Sequence, residues 1–476
     1  MSTHANRLQV GSSRIDITPG KDVILGGATI SGKIYVDYIK DPLYVKTVVI
    51  AEANRKLCII ALDLLMIIRR YVEEIRDELE RKWGFDRDAV LLHATQNHKA
   101  PSLGHFKISE EYTEIPEEFD WLRGGDEGYH SFAVSRIIAS VEQAIEAMEP
   151  VKIGVSSGVE GRLAFNRRMI MKDGSIGMPG AAGPADLLSR CLEGPMDPEL
   201  GVVSFQSQSG QPAALLLSYT CHPVHQLGEF FISADWPGAW SDGLQKNYGD
   251  SCVPLVLNGA CGNINPWDPY ADAPNNDARI MGERLAQKTL QVMKRMRYQD
   301  QVVLDWRVHV IDIPLRQLND VEVEAAKRYI AEHPTPRAID EIFVDDRWVY
   351  ASGLLDLHEQ YKRNPLYHYE IQVLRIGDAA FVGLPGEPFA EGGMQIKLDS
   401  PAEFTYIVHN TQFAGYIPTS QAFERGGYEV NTANWSKFAP EAWEMIASEA
   451  VRILQSLFVK NPIERASIDA NFNRRN

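Results

Sequence analysis

The chain has 476 residues, 45% hydrophobic and 24% charged, with a formal net charge of −16. These proportions describe a folded protein with a sizeable core and exclude a disordered, collagen-like or disulfide-scaffold chain. The negative charge argues against nucleic acid or an anionic membrane as partner, since both recruit clustered Lys and Arg.

No apolar run reaches the length of a bilayer span, and the opening residues lead into a strand-like segment without an apolar signal core. The expected setting is the cytoplasm and the expected partner a small molecule; the oligomeric state is left open, a homo-oligomer included. Five scattered cysteines (Cys58, Cys191, Cys221, Cys252, Cys261) without C-x-x-C spacing point to small buried side chains, not to disulfides or a zinc knuckle.

In chain order, β-rich apolar runs alternate with amphipathic stretches, the pattern of an α/β body of mixed α+β layers. Strands are predicted over 45–52 and 57–62, a charged helix over 70–82, and a buried strand over 89–94 that runs into Thr95-Gln96-Asn97-His98. A helix over 130–148 and a strand over 151–155 come next. The Gly- and Pro-rich stretch 174–194 then reads as a surface excursion or lid. Strands over 201–205, 213–219 and 253–257 and a helix over 277–296 close this half. The remainder gives a long strand from Val302, helices over 321–333 and 350–362, strands over 369–375, 379–384 and 406–409, and an amphipathic helix over 440–457. With no repeat or linker, one large catalytic domain over 1–476 is the simplest account.

Metal centres gather nitrogen and oxygen ligands from several elements, so His and Glu at strand ends are the informative sign. Three ends qualify: His93 to Pro101 with His98, Tyr219 to His225 with His222, and Gly383 to Pro388 with Glu387. Singly, each is weak, because a lone His at a strand end is more often a hydrogen-bonded structural residue than a ligand and Glu387 reads equally well as a capping or solvated carboxylate; together they make a candidate metal site. The turn Asn258 to Pro266 carries paired glycines that suit either a plain turn or N–H groups presented to an oxyanion. Cys261 within it lacks any local feature that would make it a nucleophile. The aromatics of Glu229 to Trp240, with Trp267, suit stacking on a sugar or another flat molecule, or an aromatic core.

Assembled in order, these segments resemble the neutral/alkaline, non-lysosomal ceramidase family, and Gly11 to Pro19, Asp41 to Lys46 and Leu62-Asp63 look like its N-terminal strands. The resemblance implies a single catalytic domain without the C-terminal immunoglobulin-like domain of the secreted enzymes. It also implies Zn2+ held by two histidines, a glutamate and a tyrosine. Three positions match directly: His222 in Cys-His-Pro, Glu387 in Leu-Pro-Gly-Glu and Tyr416 in Ala-Gly-Tyr-Ile-Pro-Thr. Where the family has Thr-His-Thr-His-Ser-Gly-Pro, this chain has Thr95 to Pro101 with Gln96 at the metal-binding histidine and His98 at the second. Imidazole is the better zinc ligand, which favours His98 as the fourth, with Gln96, His225 and His93 in reserve.

Tyr428 in Gly-Gly-Tyr-Glu resembles the family tyrosine that bonds the substrate carbonyl or oxyanion, and Arg167 its active-site arginine. Asn265 stands where the family has a serine, which removes a covalent serine route and favours metal-activated water. The expected activity is zinc-dependent hydrolysis of a C–N (amide) bond in a small polar metabolite, with His98, Arg167 and Tyr428 catalytic. Ester, lactone or glycoside cleavage on the same scaffold and a non-catalytic binding homologue are the alternatives.

Overall fold

The computed structural model describes residues 7–27, 29–178 and 189–458. Residues 179–188, within the stretch read from sequence as a lid, lie outside them. The flanks of that stretch, Ile176–Gly177 and Ser189–Leu192, pair with Met169–Met171 in a small sheet.

Three sheets carry the architecture. The first is built from β1 (Gln9–Asp16), β2 (Tyr44–Glu52), β3 (Arg55–Leu62) and β4 (Val90–Ala94) in the order β4-β3-β2-β1, with α1 (Arg69–Trp83) and α2 (Glu127–Glu146) on its outer face. The second contains β5 (Lys152–Val159), β6 (Glu199–Gln206), β7 (Pro212–Tyr219) and β8 (Val253–Asn258) in the order β8-β7-β6-β5, backed by α3 (Asp235–Tyr248) and α4 (Ala278–Met293). The third runs β9 (Leu304–Pro314), β10 (Leu366–Ile376), β11 (Ala379–Gly383), β12 (Phe404–Val408). The C-terminal helix Ala442–Phe458 covers it, and helices Asp320–Glu332 and Asp346–Arg363 lie in the β9–β10 connection.

The central strands β7, β8 and β11 read as near-continuous apolar runs because both faces are buried, whereas β1, β5 and β9 carry polar and partly exposed residues. In β3, Leu57, Ile59 and Ala61 enter a central core shared with β7, β8, β11 and β12, while Cys58, Ile60 and Leu62 face α1 and α2. One core therefore joins the inner faces of all three sheets. No described helix is long and apolar enough to cross a membrane. All five cysteines are free, and all but the exposed Cys191 are buried, in line with the expectation that most would be.

The main sequence-expected elements are present, but three helices were not expected: Ala390–Asp399, Ser420–Arg425 and α3, whose first residues read as an aromatic loop. Pro237 and Gly238 look like breakers, but both lie in the first turn, where a proline sacrifices no intrahelical bond. Trp236 and Trp240 are fully buried. Trp236 packs edge-on against Tyr219, and Trp240 donates its indole N–H to Thr289 Oγ1 at 2.9 Å. The expectation that these tryptophans stack on a sugar is thereby corrected: they are core.

Candidate metal centre

Each sheet is antiparallel except at one edge, where two strands run parallel: β4 beside β3, β8 beside β7, and β12 beside β11. The chemistry-bearing segments lie just beyond the carboxyl ends of these pairs, and buried hydrogen bonds stitch those ends together. The Asn258 side chain, at the end of β8, donates to the carbonyls of Thr95 (3.1 Å) and Cys221 (2.8 Å) and accepts the Cys221 N–H at 3.2 Å. Its own N–H goes to His93 Nε2 at 3.0 Å, and its carbonyl accepts from His409 N at 3.2 Å. One residue thus touches all three layers.

His98 lies just past β4. Its Nδ1 is 2.9 Å from the Gly27 carbonyl. A carbonyl oxygen carries no proton, so Nδ1 is the protonated nitrogen and Nε2 keeps a lone pair. That Nε2 is buried without any hydrogen-bond partner. Gly27 is required for the approach, because a Cβ there would meet the ring 2.8 Å from Nδ1. His222 repeats the arrangement: Nδ1 donates to the Ile264 carbonyl at 3.1 Å, leaving Nε2 3.3 Å from Glu387 Oε2. The two imidazoles are 5.8 Å apart, centroid to centroid.

Burial pulls both histidines below their ordinary pKa, His98 to about 4 with His222 adding to the effect, so both are neutral. For Glu387 burial acts in the opposite direction, but the Gln96 amide and the Arg167 charge hold the carboxyl below its usual range. A neutral imidazole lone pair facing an ionised carboxylate invites a cation between them. Two ligands at ~2.0–2.1 Å from a tetrahedral zinc are about 3.3–3.4 Å apart, close to the observed Nε2···Oε2 separation.

Glu387 and Tyr416 come together through the backbone. They are Cα partners in a short parallel pair, with Glu387 N donating to the Gly415 carbonyl at 2.8 Å. Gly386, at φ +71, makes the turn that delivers Glu387, and a Cβ there would lie 2.3 Å from the Gly415 oxygen. Gln96 accepts from Cys261 Sγ on its Oε1 at 3.4 Å, and its amide helps to hold the Glu387 carboxyl low.

Arg167 is fully occupied. Nε donates to Glu429 at 2.7 Å, Nη2 to the Tyr416 hydroxyl at 3.0 Å and Nη1 to Asn265 Oδ1 at 3.5 Å. Glu429, unnoticed in the sequence, is fully buried and also accepts from Arg168 Nη1 at 2.6 Å. Tyr428 stands 5.8 Å from Tyr416, ring to ring, and its hydroxyl makes no hydrogen bond to the described residues. Gln96, His98, Arg167, Asn265, Glu387, Tyr416, Tyr428 and Trp267 all line one cavity of about 620 Å³, a volume suited to a small ligand.

Other candidates lie apart. His93 has both nitrogens committed, Nδ1 to the His409 carbonyl at 2.6 Å and Nε2 to Asn258 N, which withdraws it as a reserve ligand. His225 has its Nδ1 paired with Asp235 at 2.7 Å, and its Nε2 has no partner among the described residues; like His222 it does not line the cavity. Burial pushes the Cys261 thiol well above its ordinary pKa, which removes it as a nucleophile. The paired glycines do not present an oxyanion nest: Gly259 N donates to the Tyr219 carbonyl and Gly262 N to that of Pro388.

Among the described residues, the three carboxylate or imidazole ligand atoms that all lie within 4.8 Å of one another belong elsewhere, to His105, Glu110 and Glu127. Both of those glutamates are exposed.

No protein-family model matches the chain, and neither does any curated protein. Among solved structures it is similar to the neutral ceramidase of Pseudomonas aeruginosa, with a TM-score of 0.69 at 18% identity over 95% of this chain and 75% of that one. A ceramidase complexed with C2 gives a TM-score of 0.68 at the same identity and coverage. The chain has the neutral ceramidase fold. Mixed α/β layers forming a ceramidase-like body, the expectation from sequence, are therefore borne out. On this ceramidase fold His98, Glu387 and Tyr416 line one cavity, and His222, which does not line it, stands 3.3 Å from Glu387 and 5.8 Å, ring to ring, from His98.

Proposed function

We propose that the protein is a zinc-dependent hydrolase of amide bonds, with His98, His222, Glu387 and Tyr416 as the ligands. The observation that carries this is the buried, unpartnered Nε2 of His98 beside a neutral His222 lone pair facing the Glu387 carboxylate. Zinc at such a set supplies a Lewis acid that polarises a carbonyl and acidifies water. The Gln96 Oε1, the only amide atom that could ligate zinc, already accepts from Cys261 Sγ, which supports His98 over Gln96 as ligand. Arg167, anchored by Glu429, positions the Tyr416 hydroxyl. The unpartnered Tyr428 hydroxyl is a donor for the carbonyl oxygen as it gains charge.

The cavity walls include Leu65, Met66, Phe106, Phe413 and Trp435. They favour a substrate with an apolar portion over the small polar metabolite expected from the sequence. Such walls bury an acyl chain and keep bulk water from the cluster.

Plasma mass spectrometry of protein purified without chelators is expected to find stoichiometric zinc, lost in His222→Ala and Glu387→Ala and strongly reduced in His98→Ala. A chain that is empty and refuses added zinc would sink the reading. Tyr428→Phe is expected to lower kcat about 100-fold with KM within about twofold, as for loss of one oxyanion donor. Steady-state kinetics on an N-acyl amide checks this, and an unchanged kcat removes Tyr428 from the chemistry.

A further inference from the structure

The cavity wall contains a charged group that this chemistry does not use. Lys107 is only 4% exposed, yet it lines the cavity. Its backbone is fixed, with the N–H donating to the Arg123 carbonyl at 2.9 Å and the Asn434 side chain holding the preceding Phe106 carbonyl at 2.8 Å. Among the described residues its ammonium has no hydrogen bond and no carboxylate within 4.0 Å. Its one close neighbour is the Phe106 ring, 5.7 Å to the centroid.

Three other buried or largely buried lysines are paired. Lys46 is paired with Asp63 at 2.9 Å, Lys397 with Asp197 and Glu199 at 2.6 and 2.7 Å, and Lys99 bonds the Gln226 carbonyl at 2.6 Å. Lys437, which also lacks a hydrogen bond, packs over Tyr367 and Phe413 and does not line the cavity.

A buried ammonium without a partner is costly unless something else supplies the counter-charge. Burial lowers its pKa to about 8, with Asp346 acting against that, so the group is still mostly protonated at neutral pH. Asp346 is itself engaged by the Ser31 hydroxyl. The other cation of the wall, Arg167, is neutralised by Glu429. A ligand is what remains to meet the Lys107 charge. One ammonium balances one negative charge, which selects a carboxylate; a phosphate dianion would leave excess charge among apolar side chains.

We propose that Lys107 is a specificity-determining residue that receives a carboxylate of the substrate, so that the amide cleaved in this cavity carries an acidic group as well as an apolar one. The proposal rests on the hydrolase reading of the same cavity, and two measurements keep them separable.

The first is binding alone. Calorimetry with octanoate and with octanol is expected to show octanoate binding the wild type ~10-fold or more tightly, the value of one charge-assisted hydrogen bond. The preference should vanish in Lys107→Met, survive in Lys107→Arg, and persist in His222→Ala, because the lysine and not a metal holds the carboxylate. The second is turnover of suberic acid monoanilide against its methyl ester. The acid should have the higher kcat/KM in the wild type, and Lys107→Met should equalise the two.

Equal binding of octanoate and octanol by the wild type would overturn the proposal. So would a preference that persists in Lys107→Met. Should that variant fail to fold, the wild-type and His222→Ala titrations still decide. An octanoate preference without cleavage of any amide would uphold the anion site and sink the hydrolase reading instead.

Discussion

Glu429→Ala is expected to cost ~3–5 kcal/mol of folding stability, the penalty for leaving buried charge uncompensated, and to remove most activity. Glu429 is fully buried between Arg167 and Arg168. Arg168 would keep Glu193, 3.1 Å from its Nη2, but Arg167 would retain only the neutral partners Tyr416 and Asn265. The Tyr416 hydroxyl would then lose its fixed neighbour.

The pH dependence is set by the direction of the Glu429 shift. Burial alone would raise its pKa, but the two guanidinium groups hold it below the ordinary carboxylate value. Its contribution is therefore fully present above an unfolded pKa of about 4.3 and is lost as pH falls through the folded value. Urea denaturation should show a large difference between wild type and variant at pH 7 that shrinks in acid. A difference below about 1 kcal/mol at pH 7 would mean that the pair is not formed.

Asn258→Ala is expected to cost ~3–5 kcal/mol and to lower metal occupancy without touching a ligand. Its side chain serves the carbonyls of Thr95 and Cys221 and the N–H of Cys221. Each buried group left unpaired costs ~1–3 kcal/mol. Because the bonded segments carry His98 and His222, the variant should loosen the spacing of the imidazoles as well as the fold. Denaturation and metal content measured on one preparation check both parts; full occupancy with unchanged stability would show that the seam does not set the site.

Much of the fold was legible because the central strands are buried on both faces and so read as near-continuous apolar runs. The start of α3 was not, since Pro237 and Gly238 carry the same signature in a first helical turn as in a loop. The site was legible as three strand ends, and the resemblance ordered them. What the sequence lacked was proximity: His98 and Glu387 are far apart in the chain, and nothing local records that they meet. Glu429 was hidden for the same reason, as its partners Arg167 and Arg168 lie in another layer. Lys107 had no signal, because between Phe106 and Ile108 a lysine looks like any solvated charge, and only burial without a partner marks it.

The parallel strand pairs also bear on how such a chain comes to fold. The first layer contributes one imidazole, the second another, and the third the carboxylate and the phenol, so no layer owns a ligand set of its own. A centre of this kind is assembled from contacts between residues distant in sequence, and folds dominated by such contacts form slowly. A metal held by the proposed ligands would bind the docked arrangement and not its separated parts, so by mass action it would stabilise the completed assembly alone. The ion would act as a latch across three layers as well as a reagent, and its release would accompany their parting.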